Sequence, residues 1–224
     1  MRKLLTLIPA VLLFLGACKK DTVIPPDPYF RNYFPASVGS YIVYDCDSIV
    51  YNDFTGGIDT FRFEIRELYE SAFTDNAGRP AIRLERWKRP QGADWFLKDV
   101  WSLVKADLQI EKVEEDVRLI PLMFPVKKGK TWNMNALNAA GKREVEIIDA
   151  HEGFDTGFMQ FDSTLTVQNT DPVNLVSEFR NTEVFAANTG LVYKQFKDVR
   201  YIIPTLQIKS GVIYTMRAKE IHIE

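Results

Sequence analysis

From residue 33 onward, apolar and polar side chains alternate along most of the chain. Within residues 58–68, Phe61, Phe63 and Ile65 occupy every second position, and polar or charged residues fill the positions between them. A period of two is typical of a β-strand that buries one face and exposes the other. Similar runs recur up to residue 223, and glycines or polar turns separate them at hairpin spacing. We therefore predict one all-β, antiparallel domain of about ten strands.

Two segments depart from this pattern. Asp171 and Pro172 suit the N-cap and the first position of a helix, and Leu175 and Phe179 follow four residues apart, so we predict a short helix there. Residues 94–105 fit both the helical and the strand period. We favour a strand, because aromatic and β-branched residues dominate the segment. At most one or two short helices are expected in the whole domain.

The amino terminus carries a different signal. Arg2 and Lys3 precede an apolar run over residues 4–15, which is too short to span a bilayer comfortably but suits the core of a signal peptide. The run ends in the sequence LGAC, with Cys18 as its last residue. Three prolines follow within residues 19–28 and favour an extended chain that does not pack. We predict a signal peptide over residues 1–17, a tether over residues 18–29 and one domain over residues 30–224.

The LGAC sequence resembles the lipobox of bacterial lipoproteins. The resemblance implies that Cys18 becomes the first residue and carries a diacylglycerol on its thiol and an acyl chain on its amine. These chains would anchor the protein in a membrane of the bacterial cell envelope, with the outer membrane as the favoured one and the choice of its two faces open. A secretory signal with a chance cysteine is the alternative. We predict no other cofactor.

Several short motifs in the body also resemble lipoproteins of Bacteroidota. They include Tyr33-Phe34-Pro35, the segment over residues 38–44, and the run over residues 190–193. The resemblance implies a strongly curved antiparallel sheet, as a half-barrel similar to lipoprotein carriers or as a sandwich. It implies no activity and no catalytic residues.

Charge and cysteine content narrow the function further. The chain has 28 basic and 30 acidic residues, a net charge of −2, and therefore lacks the excess of basic residues that a broad nucleic-acid-binding face needs. Cys46 has no second cysteine available for a disulfide once Cys18 is acylated, so we expect it to act as a small apolar residue. The two histidines, His151 and His222, lie too far apart in sequence to suggest a zinc site.

Carboxylates are the best candidates for chemistry. Asp45 and Asp47 lie two positions apart, on one face of a strand, and Asp53 follows near a glycine turn. Such a group could bind calcium through its oxygen atoms, or Asp45 and Asp47 could act as the acid pair of a glycan hydrolase. We favour a simpler interpretation, in which both side chains lie on the solvated face of a strand and Cys46 points inward.

The tryptophans offer a second candidate surface. Exposed indole rings on a sheet could stack on sugars, and aromatic side chains in a concave sheet could line an apolar cavity. We instead expect a filled core with Trp87, Trp95 and Trp101 mostly buried in it. These observations together favour a non-catalytic binding or interaction domain that is held at the membrane and contacts an envelope protein, a glycan or an apolar ligand. A carrier of lipid or another apolar molecule is the first alternative, and a carboxylate-dependent glycan hydrolase is the second.

Overall fold

A computed structural model describes residues 27–224. The predicted signal peptide, Cys18 and most of the tether lie outside the described residues. Within residues 27–224, no helix is long and apolar enough to cross a membrane. The elements are one 3-10 turn, Arg31–Tyr33, and twelve strands: β1 Tyr41–Tyr51, β2 Ile58–Thr74, β3 Pro80–Pro90, β4 Phe96–Lys105, β5 Gln109–Glu114, β6 Val117–Met123, β7 Thr131–Asn133, β8 Glu144–Asp155, β9 Gln160–Asn169, β10 Ser177–Ala186, β11 Gly190–Ile202 and β12 Gln207–His222.

All twelve strands belong to one antiparallel sheet, which confirms the predicted fold class. Their order is β6-β5-β4-β3-β2-β1-β12-β11-β10-β9-β8-β7, so the first strand pairs with the twelfth at the centre. The sheet curls until its two edge strands approach each other. The Ile120 amide donates a hydrogen bond to the Met134 carbonyl at 2.9 Å, and Trp132 Nε1 donates to the Ile120 carbonyl at 2.8 Å. The sheet is therefore nearly closed into a barrel.

The helix predicted after Asp171 is wrong. Residues 171–174 have no regular secondary structure, and β10 begins at Ser177. The Asn174 side chain accepts hydrogen bonds from the amides of Val176 and Ser177, both at 2.8 Å. This local turn satisfies backbone donors that a helix would have paired along its own axis. The strand predicted within residues 94–105 is confirmed as β4.

The buried face of the sheet, called the inner face below, follows the predicted alternation. Tyr44 and Cys46 are each 1% exposed, while Asp45 and Asp47 between and beyond them remain partly accessible. Trp101 and Trp132 are buried, but Trp87 and Trp95 are only half-buried, which corrects our expectation for these two indoles. Trp87 lies on the opposite face of the sheet, called the outer face below, where it pairs with Arg66. The inner face is also not wholly apolar, since it carries a group of buried charges.

Candidate functional site

Asp45 and Asp47 lie together on the outer face, on either side of one guanidinium group. Arg217 Nη2 lies 3.1 Å from Asp45 Oδ2 and also contacts Asp47 Oδ2, and Arg62 Nε lies 3.4 Å from Asp47 Oδ1. In a glycan hydrolase the glycosidic bond lies between the two carboxyl groups. Here the Arg217 guanidinium takes that place.

Asp53 is not brought to this pair. Its carboxylate contacts Lys209 Nζ at 3.1 Å, and both side chains are about half exposed. Among residues 27–224, no group of three or more histidine, cysteine, aspartate and glutamate side chains is arranged to hold a metal ion. The structure thus places Asp45 and Asp47 in an ion-pair ladder and leaves Asp53 in a separate surface pair.

The two half-buried tryptophans are covered by cations. The Arg66 guanidinium carbon lies 5.4 Å from the ring centre of Trp87 and 5.5 Å from that of Trp95. Arg89 lies 4.6 Å from the Trp95 ring centre. Sugars stack on the face of an indole ring, and here these arginines occupy ring faces through cation–π contacts.

Cys46 is unsuited to nucleophilic chemistry. Burial raises the pKa of its thiol to about 12, and the Tyr214 hydroxyl donates to its sulfur at 3.7 Å. The thiolate is the reactive form of cysteine. A thiol with this pKa stays protonated at neutral pH, and Cys46 acts as a core residue.

A charged ladder crosses the inner face on β2, β3 and β4. Register pairs Glu67 with Arg86 and Arg86 with Asp99. Arg86 Nε donates to Glu67 Oε1 at 3.0 Å, and Arg86 Nη1 donates to Asp99 Oδ2 at 3.1 Å. The guanidinium also lies 4.0 Å from the ring centre of Trp101. The side chains of Arg86 and Glu67 are 10% and 8% exposed. Asp99 also lies 2.6 Å from Lys98 Nζ at the end of the ladder.

Two further ion pairs extend the ladder across the interior. Lys112 Nζ contacts Glu114 Oε1 on β5, and Lys194 Nζ lies 2.8 Å from Glu183 Oε1 between β11 and β10. Burial alone would raise the pKa of Glu114, but the positive charges of Lys112 and Lys194 lower it to about 2. The interaction of Lys194 with Glu114 shows that the two pairs lie within electrostatic reach of each other. We call these seven residues the inner charge cluster: Glu67, Arg86, Asp99, Lys112, Glu114, Glu183 and Lys194.

A cavity of about 190 Å³ opens beside the two ion pairs Lys112–Glu114 and Lys194–Glu183. Strands from both halves of the sheet contribute to its wall, which is lined by Lys112, Glu114, Leu119, Pro121, Met134, Arg143, Asn181, Glu183, Lys194 and Phe196. Asn181 is 6% exposed, and its Oδ1 is buried without a hydrogen-bond partner among the described residues. Buried polar atoms in folded proteins almost always have a partner. The Asn181 oxygen has almost no accessible surface and does not face the cavity, so the cavity presents the charged side chains of its wall to whatever occupies it.

This site was not predicted from the sequence, although the chain contains a signal for it. Glu67 is in phase with Phe63 and Ile65, and Arg86 is in phase with Ile82 and Leu84. A charge at an inward position of an alternating strand predicts a buried charge, which requires a partner. The partners could not be identified without the register of the sheet.

Comparisons with known proteins add little to this picture. No family model matches the sequence, and no curated protein matches it. One solved structure is similar, that of a candidate lipoprotein from Parabacteroides distasonis. The similarity has a TM-score of 0.45 and 10% sequence identity, and it covers 85% of this chain and 98% of that chain. At this level of similarity, no function is transferred to this chain.

Proposed function

We propose that this protein is a lipid-anchored binding domain of the bacterial cell envelope, and that it binds a small ligand in the cavity beside the inner charge cluster. The observation that carries the binding role is a cavity of about 190 Å³ whose wall includes the two ion pairs Lys112–Glu114 and Lys194–Glu183. The anchor rests on the LGAC sequence that ends at Cys18.

The buried ion pairs in the cavity wall are costly to form. Removing an ion pair from water costs several kcal/mol per ion, and apolar side chains of similar size often replace such pairs without loss of stability. Lys112 and Glu183 are 8% and 4% exposed. A purely structural interior does not need them, whereas a site for a polar ligand does.

The alternatives have less support. An apolar molecule in this cavity would bury the cavity-facing charges against a surface that offers them no hydrogen bond. A hydrolase built on Asp45 and Asp47 would first have to displace Arg217 from between them. The charged wall therefore favours a polar ligand over the apolar cargo of a carrier.

Native mass spectrometry of the protein extracted from bacterial membranes in detergent tests the binding role. We expect a small-molecule adduct on the wild type that denaturation releases. Met134 is 3% exposed and lines the cavity, so Met134→Phe should fill the cavity and abolish the adduct. Val100→Phe, at a position 44% exposed on another surface, is the matched control and should retain it. A wild type that carries no adduct, or an adduct equally abundant in all three proteins, would contradict the proposal.

Metabolic labelling with a radioactive fatty acid tests the anchor separately. We expect label in the wild type and neither label nor membrane retention in Cys18→Ala, because the thiol is the predicted site of acylation. Label that persists in Cys18→Ala would remove the basis for the anchor. Protease treatment of intact cells, with a periplasmic protein as control, then reports which face of the membrane carries the domain.

A further inference from the structure

Three neighbouring turns at one end of the barrel carry exposed apolar side chains. We call them together the apolar rim: residues 54–58, 172–176 and 202–208. Eight large apolar residues of the rim are between 42% and 98% exposed: Phe54, Ile58, Val173, Leu175, Val176, Ile202, Ile203 and Leu206. The Tyr201 amide donates to the Val176 carbonyl at 2.8 Å, and Lys209 Nζ lies 3.1 Å from Asp53 Oδ2, so the three turns are neighbours. Grouped apolar residues of this kind mark contact with another protein or with a membrane.

The apolar rim contains no charged residue, although 26% of the whole chain is charged. Charges lie only behind it, where Asp53 and Lys209 form an ion pair and Asp171 precedes the second turn. Apolar side chains can enter the boundary between lipid headgroups and acyl chains to a depth of about 5–10 Å. The charged residues behind the rim would then remain at the headgroups, in contact with water.

The turns of the rim bind their own backbone amides. The Asn52 and Asn174 side chains each accept hydrogen bonds from two amides of their own turn, at 2.8–3.1 Å. The Leu206 amide donates to the Ile202 carbonyl at 2.8 Å. A backbone donor that leaves water for lipid needs such a partner, because lipid supplies none. These amides can therefore enter an apolar medium without losing a hydrogen bond.

Leu206 is an unexpected residue for its position. Its φ of 55° lies in the left-handed region, which favours glycine and asparagine over leucine. The side chain is also 51% exposed, so the protein core gains little from it. Turn geometry and core packing both leave a leucine here unexplained, whereas contact of its side chain with lipid accounts for it.

The predicted tether is long enough to let the rim reach the membrane that holds Cys18. The chain enters the domain at the opposite end, because β1 begins at Tyr41 on that side and ends at Tyr51 beside the first turn. From Cys18 to Asp27 the chain can extend by about 30 Å. The 11 residues of β1 span about 33 Å along the strand, and the usual tilt of barrel strands reduces the height to about 25 Å. The two lengths are comparable.

We infer that the apolar rim inserts into the interface of a lipid bilayer, as a second membrane contact besides the acyl chains on Cys18. This contact goes beyond the binding cavity and does not depend on it. Lipid suits the rim better than a partner protein does, because the apolar side chains lie at the tips of three turns and not on one continuous face. The contact does not require anionic lipid, because the rim carries no charge.

Fluorescence quenching in proteoliposomes tests the inference. The acylated protein is extracted from bacterial membranes and reconstituted in phosphatidylcholine vesicles that contain lipids with a nitroxide on the acyl chain. Cys46 is buried and its thiol has a pKa of about 12, so the label reacts with an introduced cysteine and not with the wild type. We expect a probe at Leu175→Cys to lose most of its fluorescence. A probe at Leu108→Cys, in the turn between β4 and β5 at the opposite end, should lose little.

A matched pair of variants assigns the contact to the rim. Leu206→Glu, read with the probe at Leu175→Cys, should lower the ratio of inserted to free rim by about tenfold or more, because a carboxylate replaces an apolar side chain in the lipid. Leu108→Glu makes the same change at the same exposure of 51% and should leave the quenching unchanged. Vesicles with equal parts of phosphatidylglycerol and phosphatidylcholine should quench the Leu175 probe as strongly as phosphatidylcholine alone.

Several outcomes would overturn the inference and leave the acyl anchor in place, because acylation of Cys18 is measured by the fatty-acid label. One is an unquenched Leu175 probe; if iodide in the water cannot quench it either, a protein or a second copy of the chain covers the rim. Others are stronger quenching at Leu108 than at Leu175, full quenching in Leu206→Glu, or quenching that requires phosphatidylglycerol. Wild-type protein that fails to float with the vesicles would overturn both the anchor and the rim contact.

Discussion

Two arginines on opposite faces of the same sheet each bind two carboxylates. Arg86 contacts Glu67 and Asp99 on the inner face, and its side chain is 10% exposed. Arg217 contacts Asp45 and Asp47 on the outer face, and its side chain is 30% exposed. Both groups consist of one guanidinium and two carboxylates. They differ in how far water reaches them.

Water can solvate Arg217 and its carboxylates if one of their ion pairs breaks, whereas Arg86 and its carboxylates are largely shielded from water. Exposed ion pairs typically contribute between zero and about 1 kcal/mol to stability. A buried charge that loses its partner is left in a medium of low polarity, which costs about 3–5 kcal/mol. The loss of an ion-pair partner is therefore costly on the inner face and costs little where water reaches the remaining charge.

Replacing each arginine by methionine tests this comparison most strongly. Arg86→Met leaves Glu67 and Asp99 without their shared partner, so we expect the free energy of unfolding to fall by about 3–5 kcal/mol. Arg217→Met should lower it by about 1 kcal/mol or less, because water solvates Asp45 and Asp47. Urea unfolding followed by circular dichroism measures both values. Equal losses in the two variants would show that burial does not distinguish the two faces.

Acid unfolding should detect the inner charge cluster through Glu114. Lys112 and Lys194 overcome the effect of burial and lower the pKa of Glu114 from 4.5 to about 2 in the folded protein. A lowered pKa stabilises the folded state above pH 4.5, and that contribution is lost as the pH falls from 4.5 towards 2. We expect Glu114→Gln to remove on the order of 1–3 kcal/mol of this acid sensitivity.

The control for this experiment is the neighbouring carboxylate. Glu115 is exposed in the turn between β5 and β6, and Glu115→Gln should follow the wild-type curve of stability against pH. A Glu114→Gln curve parallel to that of the wild type would mean that Glu114 is not coupled to the two lysines.

The smallest effect is expected on the outer face. Asp45→Asn and Asp47→Asn should each change the free energy of unfolding by about 1 kcal/mol or less, because both side chains retain access to water. Calcium in the buffer should leave the melting temperature of the wild type unchanged, since Arg217 occupies the space between the carboxylates. A melting temperature that rises with calcium in the wild type and not in Asp45→Asn would restore the calcium hypothesis for this face.

The fold followed closely from local sequence. The alternation of Phe61, Phe63 and Ile65 predicted a strand, and β2 contains all three. Asp171 and Pro172 wrongly predicted the start of a helix. The chain instead forms a turn, in which the Asn174 side chain accepts hydrogen bonds from two backbone amides. The count of about ten strands fell short of twelve because β6 and the three-residue β7 lie in segments with no clear alternation.

The candidate site was much less predictable. The inward phase of Glu67 and Arg86 could be seen in the sequence, but their pairing depends on the register between β2 and β3. A bulge between Tyr69 and Ser71 shifts that register, and a second bulge between Arg86 and Trp87 shifts the register between β3 and β4. Local sequence specifies neither bulge. The meeting of Lys112 on β5 with Glu183 on β10 depends on the curvature of the whole sheet.

The pairing of β1 with β12 also affects how fast the chain can fold. Tyr41 donates a hydrogen bond from its hydroxyl to Glu220, 179 positions later in sequence, at 3.0 Å. Folding rates fall as contacts join residues more distant in sequence, because a long loop must lose its freedom before the contact forms. Strands β1–β6 and β7–β12 can each form as a run of local hairpins. Until β12 joins β1, however, each run has an unpaired strand edge at the future centre of the sheet, where it is open to pairing with another chain.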